Sequence, residues 1–522
     1  MRYNFAMKDG PLGKGHPLAE IQNLAEKRQP APGDSSIIPA TEMPSAGGPS
    51  LLPLLLLISL MVFAAIVRVI ATHNDLWLDE LISLRIAHAV KTPWQILSAV
   101  HTDNNHYLNT LFLYYLKTGD PAPPVYRYLS VLWGVALVPA GYWLLARRSQ
   151  AEAVILAGLL ACSYPLIHFS SEARGYSGAV LGSLLACAAL ARWMTPDGPD
   201  GKGHRLLLGA IYGIALSLAL LSHLTACLIW FSLAVGSLIS LLGQPRRAQW
   251  ISRWIALNLL PAAVLLTLYF LDLRFLTELG GPPMTVLHGL GRLLALGLGW
   301  PAKDAATVWI VLAPLMAFAV WQLAGERDAE QPLAMLLTMI YLLPLLCVLL
   351  MRPAFFSPRY FLVILPFVYV TAAMLLARLV PTRTGRIALL AVLALFLAGQ
   401  AHLYANFLQV GRGQFSAVLR EMAAQTPAPQ FRVASNQDFR SSIELAYYAP
   451  RLLRNQLLLY IPRDSQAPVQ ADWYILHQEG YEPPGPAVLN VPDQPTWYRV
   501  AYFGASELSG QAFTIYRHQP VE

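Results

Sequence analysis

Four short polar clusters in this chain hold the side chains of acid–base and phosphate chemistry, and each lies at the edge of an apolar run. The first, Asp75-Leu76-Trp77-Leu78-Asp79-Glu80, follows the apolar stretch 51–71, whose polar exceptions are Ser59 and Arg68. Adjacent carboxylates point different ways, so one is free to accept a proton while the other pairs or positions. A second reading makes Asp79 the cap of a helix starting near Glu80, where the helix dipole favours negative charge. Capping and catalysis are compatible. Glu80 stays open as a cap-proximal charge, an acceptor contact or a metal contact. Asp75 reads as ordinary loop charge.

The second cluster, His101-Thr102-Asp103-Asn104-Asn105-His106-Tyr107, sets two imidazoles, a carboxylate and two amides side by side. The spacing of His101 and His106 is a weak metal pattern, so a divalent metal ion is left as an open cofactor and none is required. The third is Ser170-Ser171-Glu172-Ala173-Arg174-Gly175-Tyr176-Ser177, either a local ion pair or part of a site. The fourth, Arg352 to Tyr360, carries Arg352 and Arg359 around a Pro- and Phe-containing turn. These arginines either snorkel to lipid phosphates or form a fork for a phosphate or pyrophosphate. His223, in a tight turn, can line the same cavity.

Membrane elements must position these clusters. The chain has 522 residues, 56% hydrophobic and 13% charged, with mean hydropathy +0.46. Apolar stretches at 51–71, 128–146, 153–169, 178–191, 206–222, 224–242, 254–271, 308–324, 333–351, 360–377 and 387–405 predict about eleven transmembrane helices. The split at His223 is the weakest of these divisions. The net charge of +7 does not point to nucleic acid, because basic residues crowd into alternate short loops: Arg147-Arg148, Arg192 to Arg205, Arg246 to Arg253, Arg327, and Arg378 to Arg386. By the positive-inside rule those loops face the cytoplasm, with the N-terminus. All four polar clusters and the C-terminus then share the outer face. Cys162, Cys187, Cys227 and Cys347 lie within spans and read as small apolar core residues. The first apolar run, after a polar tail, reads as a retained span and not a signal peptide.

Residues 1–50, rich in Pro, Gly, Ser and Ala, predict a disordered cytoplasmic tail. Residues 51–407 form the transmembrane body, with a first outer loop at 72–127. Helical spacing over 80–100 and 107–117 suits interfacial helices, with Trp77, Trp94, Tyr107, Tyr114 and Tyr115 near the headgroups. A second outer segment, 273–306, contains an apolar stretch at 286–300 that suits a re-entrant or surface helix. Residues 408–522 predict a small soluble α/β domain on the outer face, with a helix at 414–424 and strands at 431–434, 457–461, 473–476, 498–503 and 513–516. The fold class is therefore an all-α polytopic membrane protein with a small C-terminal α/β domain.

At these residues the chain resembles the GT-C superfamily of membrane glycosyltransferases, in its protein O-mannosyltransferase and aminoarabinose-transferase-like branch (glycosyltransferase family 39-like). The resemblance covers roughly 51–405. It rests on Trp77-Leu78-Asp79-Glu80, Asn105-His106-Tyr107, Tyr126-Arg127-Tyr128-Leu129-Ser130, Ser171-Glu172-Ala173-Arg174-Gly175-Tyr176, Ser222-His223 and Ser357-Pro358-Arg359-Tyr360. It implies transfer of a sugar from a polyprenyl-phosphate donor to a lipid, glycan or protein hydroxyl, outside a bacterial cytoplasmic membrane, by one inverting displacement. Asp79, with Glu80 beside it, is the implied catalytic group, taking the acceptor proton. Arg359, with Arg352 or Arg174, would stabilise the departing phosphate. His106, Glu172, Tyr176, His223 and Tyr360 complete the implied substrate-binding set. One departure is His106-Tyr107-Leu108-Asn109, which lacks the paired prolines common in relatives. A glycan polymerase or ligase and a transporter or flippase are the competing classes. A transporter more often sets its charges near the bilayer midplane in paired repeats, which this chain does not show.

Overall fold

The structure is a computed structural model that describes residues 51–195, 202–244, 247–276, 284–300, 306–323, 331–351, 357–463, 471–480, 482–491 and 495–518. The tail 1–50 and Arg352 lie outside the described residues. Each of the eleven apolar runs falls on a helix. Among the described residues eight helices are long and apolar enough to cross a membrane: Leu52–Ile70, Pro123–Leu145, Tyr176–Met194, Gly203–Ser222, Arg247–Phe275, Pro332–Met351, Pro358–Ala377 and Arg383–Ala424. Ala226–Leu242 and Ala306–Gln322 are shorter. Leu54, Leu55, Ile58 and Val62 on the first helix, and Leu390 and Leu395 on the last, stay exposed, as a lipid-facing surface requires. Tyr176–Met194 sits inside the bundle, with most of its residues buried.

The run 153–169, expected as one straight span, is a bent pair. Gln150–Cys162 and Tyr164–Ser170 meet at 58°, and together they count as a ninth span. Pro165 has no N–H, so the Ala161 carbonyl loses its donor one turn on. The N–H of Tyr164 is diverted to Oε1 of Gln400, which frees the Leu160 carbonyl as well. Arg68, from the first span, fills both vacancies: Nη2 donates to Leu160 O at 3.1 Å and Nη1 to Ala161 O at 3.2 Å. Its Nε donates to Ser170 Oγ at 2.9 Å. The lone cation of the first span is thus the cap of a broken neighbour, a favourable place for positive charge at a helix C-terminus.

In the loop after the first span the expected helix 80–100 is two pieces, Leu78–Ala89 and Gln95–Ser98. Pro93 disfavours helical backbone at Thr92 and separates them. Tyr107–Leu116 forms as expected. Trp77 and Tyr107, placed by sequence near headgroups, are buried, and the Tyr107 hydroxyl donates to Asp272 Oδ2 at 2.6 Å. The stretch at 286–300 is also no surface helix: Val286–Leu298 buries Gly289 through Gly297 in the bundle.

After Val410 the chain forms the helix Phe415–Ala424 and six strands, β1 (Gln430–Ser435), β2 (Leu457–Tyr460), β3 (Trp473–Glu479), β4 (Val488–Leu489), β5 (Trp497–Phe503) and β6 (Gln511–Arg517). Their order is β2-β1-β3-β6-β5-β4, with β1 parallel to β2 and β3 and the other pairs antiparallel. The crossover from β1 to β2 is the helix Asp438–Leu452, which the sequence reading missed, as it did the short β4. Leu76, Trp77, Leu78, Leu81, Leu84 and Ala87 of the first loop share one hydrophobic cluster with Phe415, Leu419, Phe431, Ile443, Trp473 and Phe513. Sheet segment and first loop therefore stabilise each other by burying the same apolar surface.

Candidate active site

The helix Leu78–Ala89 begins at Trp77, whose backbone is extended (φ −92°, ψ 171°), so Asp79 and Glu80 both fall in its first turn. They separate at once. Glu80, and not Asp79, supplies the cap: its Oε2 accepts from the Trp77 N–H at 3.2 Å. The same oxygen accepts from Arg127 Nη2 at 2.6 Å, and Oε1 accepts from Arg127 Nε and Ala173 N–H at 2.7 Å each. Glu80 is fully buried, and these contacts use both oxygens. Burial alone would raise its carboxyl; the Arg127 guanidinium overrides that and holds it below the usual carboxylate range. Glu80, expected as a catalytic group beside Asp79, thus has both carboxylate oxygens engaged by the protein itself. Arg127 in turn donates to the carbonyls of Thr72, Asn74 and Asp75 at 2.6, 2.9 and 2.8 Å, fixing the chain that leaves the first span.

Asp79 points the other way. Arg359 Nη1 donates to its Oδ2 at 2.8 Å, and Arg174 Nη2 lies 3.5 Å from the same oxygen. Oδ1 has no hydrogen bond among the described residues, and the side chain is 15% exposed. The Asp79 carbonyl accepts from Ser83 Oγ at 2.9 Å, Asn104 Nδ2 at 3.0 Å and Arg174 Nη1 at 3.3 Å, which fixes its backbone. Arg174 Nη1 also donates to Asn104 Oδ1. The Nε groups of Arg174 and Arg359 are buried donors without a partner among the described residues.

Four rings extend the site from this carboxylate. Tyr176 and His223 lie 4.5 Å apart by centroid, His106 is 4.7 Å from His223 and 5.4 Å from Tyr176, and Tyr360 is 6.5 Å from His223. Arg359 lies over Trp77 and Tyr360 at 5.6 and 5.9 Å, and Arg174 over Tyr176 at 5.7 Å, within cation–π range. His106 Nδ1 is 3.2 Å from the Ser222 carbonyl, which can only accept, so the proton sits on Nδ1 and Nε2 is left unpartnered among the described residues. His223 Nδ1 accepts from Thr225 N–H at 3.1 Å. Burial, then the Arg174 guanidinium, holds His106 well below the ordinary imidazole value and His223 at about 3. Both rings are neutral. The close approach of these elements needs Gly175, where a Cβ would sit 1.8 Å from the Ser222 carbonyl oxygen.

Glu172 lies one layer below. It accepts from Trp77 Nε1 at 2.9 Å and from Ser509 Oγ at 3.2 Å, with Arg412 Nε at 3.8 Å. Burial pushes its carboxyl up, opposed by Arg412 and reinforced by Glu80. Arg412 also donates to Asn74 Oδ1 at 3.1 Å, to Ser171 Oγ at 2.9 Å and to the His168 carbonyl. The β5–β6 turn lies against Arg412 so closely that a Cβ on Gly510, already at φ +120°, would sit 2.1 Å from its carbonyl oxygen.

Asp79, His106, Arg174, Tyr176, His223, Arg359 and Tyr360 thus form one constellation. Arg127, Arg412, Trp77, Asn104 and Ser509 were missed as parts of it. Arg127 stood inside a quoted motif, whereas Arg412 had no signal beyond its flanking glycines. Asp75 is more than loop charge, since its Oδ2 accepts from the Ser416 N–H at 2.7 Å and ties the loop to the sheet segment. His101, weighed as a metal ligand, is spent on Asp272 at 2.8 Å. Among the described residues no three His, Cys, Asp or Glu side chains converge on one point.

No protein-family model matches the chain, and no curated protein is similar to it. Among solved structures, ArnT from Cupriavidus metallidurans bound to undecaprenyl phosphate matches with TM-score 0.51 at 12% identity, covering 90% of this chain and 99% of that one. Its apo form matches at 0.50 and 12%, covering 88% and 98%. The archaeal oligosaccharyltransferase AglB from Archaeoglobus fulgidus, in complex with an inhibitory peptide and a dolichol-phosphate, is a looser likeness, at TM-score 0.46 and 11% identity over 82% of this chain and 70% of that one. The chain is a multi-pass membrane protein with the GT-C fold that ArnT has.

Proposed function

We propose that this protein is a glycosyltransferase that moves a sugar from a polyprenyl-phosphate carrier to a hydroxyl acceptor, with Asp79 as the base. The observation that carries this is a carboxylate with one oxygen held by two arginines and the other without a hydrogen bond among the described residues, at one end of a membrane bundle. Fold likeness to ArnT, solved with undecaprenyl phosphate, supports the choice of donor. The acceptor oxygen attacks the anomeric carbon as its proton passes to Asp79 Oδ1. The bond from that carbon to the phosphate oxygen breaks with inversion, and the electron pair leaves on the lipid phosphate. Guanidinium groups match phosphate oxygens bidentately. Arg359 and Arg174 turn their unmet N–H groups to that phosphate, which neutralises its growing charge and loosens their hold on Asp79. His106, Tyr176, His223 and Tyr360 offer the sugar and first isoprene units a neutral aromatic wall. Glu80 and Glu172 act through Trp77 and the loop backbone, as positioning residues. The acceptor is a lipid, glycan or protein hydroxyl on the outer face of a bacterial cytoplasmic membrane, with the N-terminus inside.

The test is Asp79→Asn in purified membranes supplied with a panel of polyprenyl-phosphate sugars. Loss of a required base costs about 10²- to 10⁴-fold in turnover. Donor consumption by the variant at the wild-type rate would sink the assignment.

A further inference from the structure

We propose a second ligand site on the face of the helix Leu78–Ala89 turned away from Asp79, a cleft that binds an anionic saccharide. A cavity of about 530 Å³ lies between this helix and the helix Asp438–Leu452 of the sheet segment. At 3.6 residues per turn, Leu81, Leu84, Arg85 and His88 are rotated from Asp79 by about 200°, 140°, 240° and 180°. The cleft therefore cannot open onto the Asp79 carboxylate, and it is no part of the transfer site. It has the size of a small-molecule site, with an apolar floor and a polar rim.

The floor is Leu81, Leu84 and Ile443, all buried. The rim is charged and aromatic. Arg85 and His88, one turn apart and exposed, make no hydrogen bond or ion pair among the described residues while lining the cavity. Across from them the Arg451 guanidinium lies 4.0 Å over the Tyr447 ring. Its Nη2 donates to both oxygens of Asp120, at 2.9 and 2.8 Å. Asp120 is the sole non-glycine residue with positive φ among the described residues, at 37°. Strained backbone of this kind persists where the surroundings over-determine it, and it clusters at binding sites. Here the strain aims a carboxylate into the cleft, where it holds Arg451 and accepts from the Tyr126 hydroxyl at 3.2 Å.

A ligand for this rim needs an anionic group and neutral hydroxyls together. Two arginines against one aspartate leave the rim positive, and Arg85 is free to grip a phosphate or carboxylate. The Tyr447–Arg451 platform gives a flat surface for a sugar ring, while Asp120 and Ser442 accept from or donate to its hydroxyls. A lipid surface fits less well, because Asp120 sets a carboxylate on the rim that anionic headgroups would meet. On the proposed transferase reading, the ligand is a part of the acceptor glycan remote from the hydroxyl that reacts; binding itself does not depend on that reading.

The test is equilibrium binding to the full-length protein in detergent, carrying Asp79→Asn so that no transfer intervenes. The probes are a phosphorylated mannose oligosaccharide, an oligogalacturonate, each one's neutral counterpart, and vesicles of anionic phospholipid. Saturable binding of at least one anionic oligosaccharide is expected, weakened about tenfold for its neutral counterpart and about tenfold by Arg85→Glu, as loss of a charge-assisted contact requires. Tyr447→Ala should weaken it as well, with circular dichroism reporting the fold. Binding of neither oligosaccharide, indifference to Arg85→Glu, or an Arg85-dependent preference for the vesicles would each overturn the proposal.

Discussion

Two layers of carboxylate and guanidinium lie within one loop of each other and differ in how fully their carboxylates are engaged. In the lower layer Glu80, Arg127, Glu172 and Arg412 are fully buried, and both carboxylates accept from several donors. In the upper layer Arg174 is buried, Asp79 and Arg359 are 15% exposed, and one oxygen of Asp79 has no hydrogen bond among the described residues. Identical functional groups thus serve opposite ends. A buried ion pair whose carboxylate oxygens are both engaged is closed to substrate, and it is costly to break because either half alone is stranded in a low dielectric. A partly exposed carboxylate with an oxygen to spare can exchange partners, which is what a transfer reaction needs.

Asp79→Asn is the largest break in that contrast, removing turnover while leaving the thermal unfolding midpoint of the purified protein near wild type. Glu80→Gln should do the reverse. It strands Arg127 and is expected to destabilise the protein by about 3–5 kcal/mol, with activity falling only as the folded fraction falls. If thermal unfolding in detergent is unchanged while activity is lost, the two carboxylates have exchanged roles. Arg359→Ala sharpens the upper layer: weaker use of polyprenyl-phosphate donors, about tenfold or more in KM, should be partly restored by Arg359→Lys. Unchanged donor kinetics would return Arg359 to lipid snorkelling.

Acid tests the aromatic wall beside the upper layer. The folded pKa of His223, about 3, lies below the unfolded value near 6.5, so the unfolded chain takes up the proton first as pH falls. The stability contributed by neutral His223 is complete above about 6.5 and is lost progressively as pH falls from there toward about 3. The drop in unfolding midpoint between pH 7.5 and 5 should be smaller in His223→Asn than in wild type; an equal drop would show that the ring is not enclosed in solution. The smallest effect is Ser509→Ala, which removes one donor from Glu172 and should cost about 1 kcal/mol in denaturation, with little change in turnover.

Much of this architecture was legible before any coordinates. Apolar runs of membrane length have few alternatives to spanning helices, because unpaired backbone is too costly in hydrocarbon. Asp79, Arg174 and Arg359 stood out because ionisable residues next to such runs are conspicuous. Their partners were not legible. Arg359 meets Asp79 across 280 positions of chain, and Arg412 meets Ser171 across 241. Nothing in local spacing encodes such a meeting. Arg68 was visible as an oddity in the first span, but its purpose depended on the break at Ser163, which hydropathy reads straight through.

What the sequence by itself determined is the membrane body, the helix and strand character of most segments, and the stock of charged groups at the ends of the spans, because hydrophobic length and periodicity are local properties. Only the tertiary structure decided which carboxylate remains free. Asp79 and Glu80 are neighbours of the same charge in the same helical turn. The helix sends one toward Arg174 and Arg359 at the open end of the bundle and the other down onto Arg127. That direction is set by packing between segments far apart in the chain.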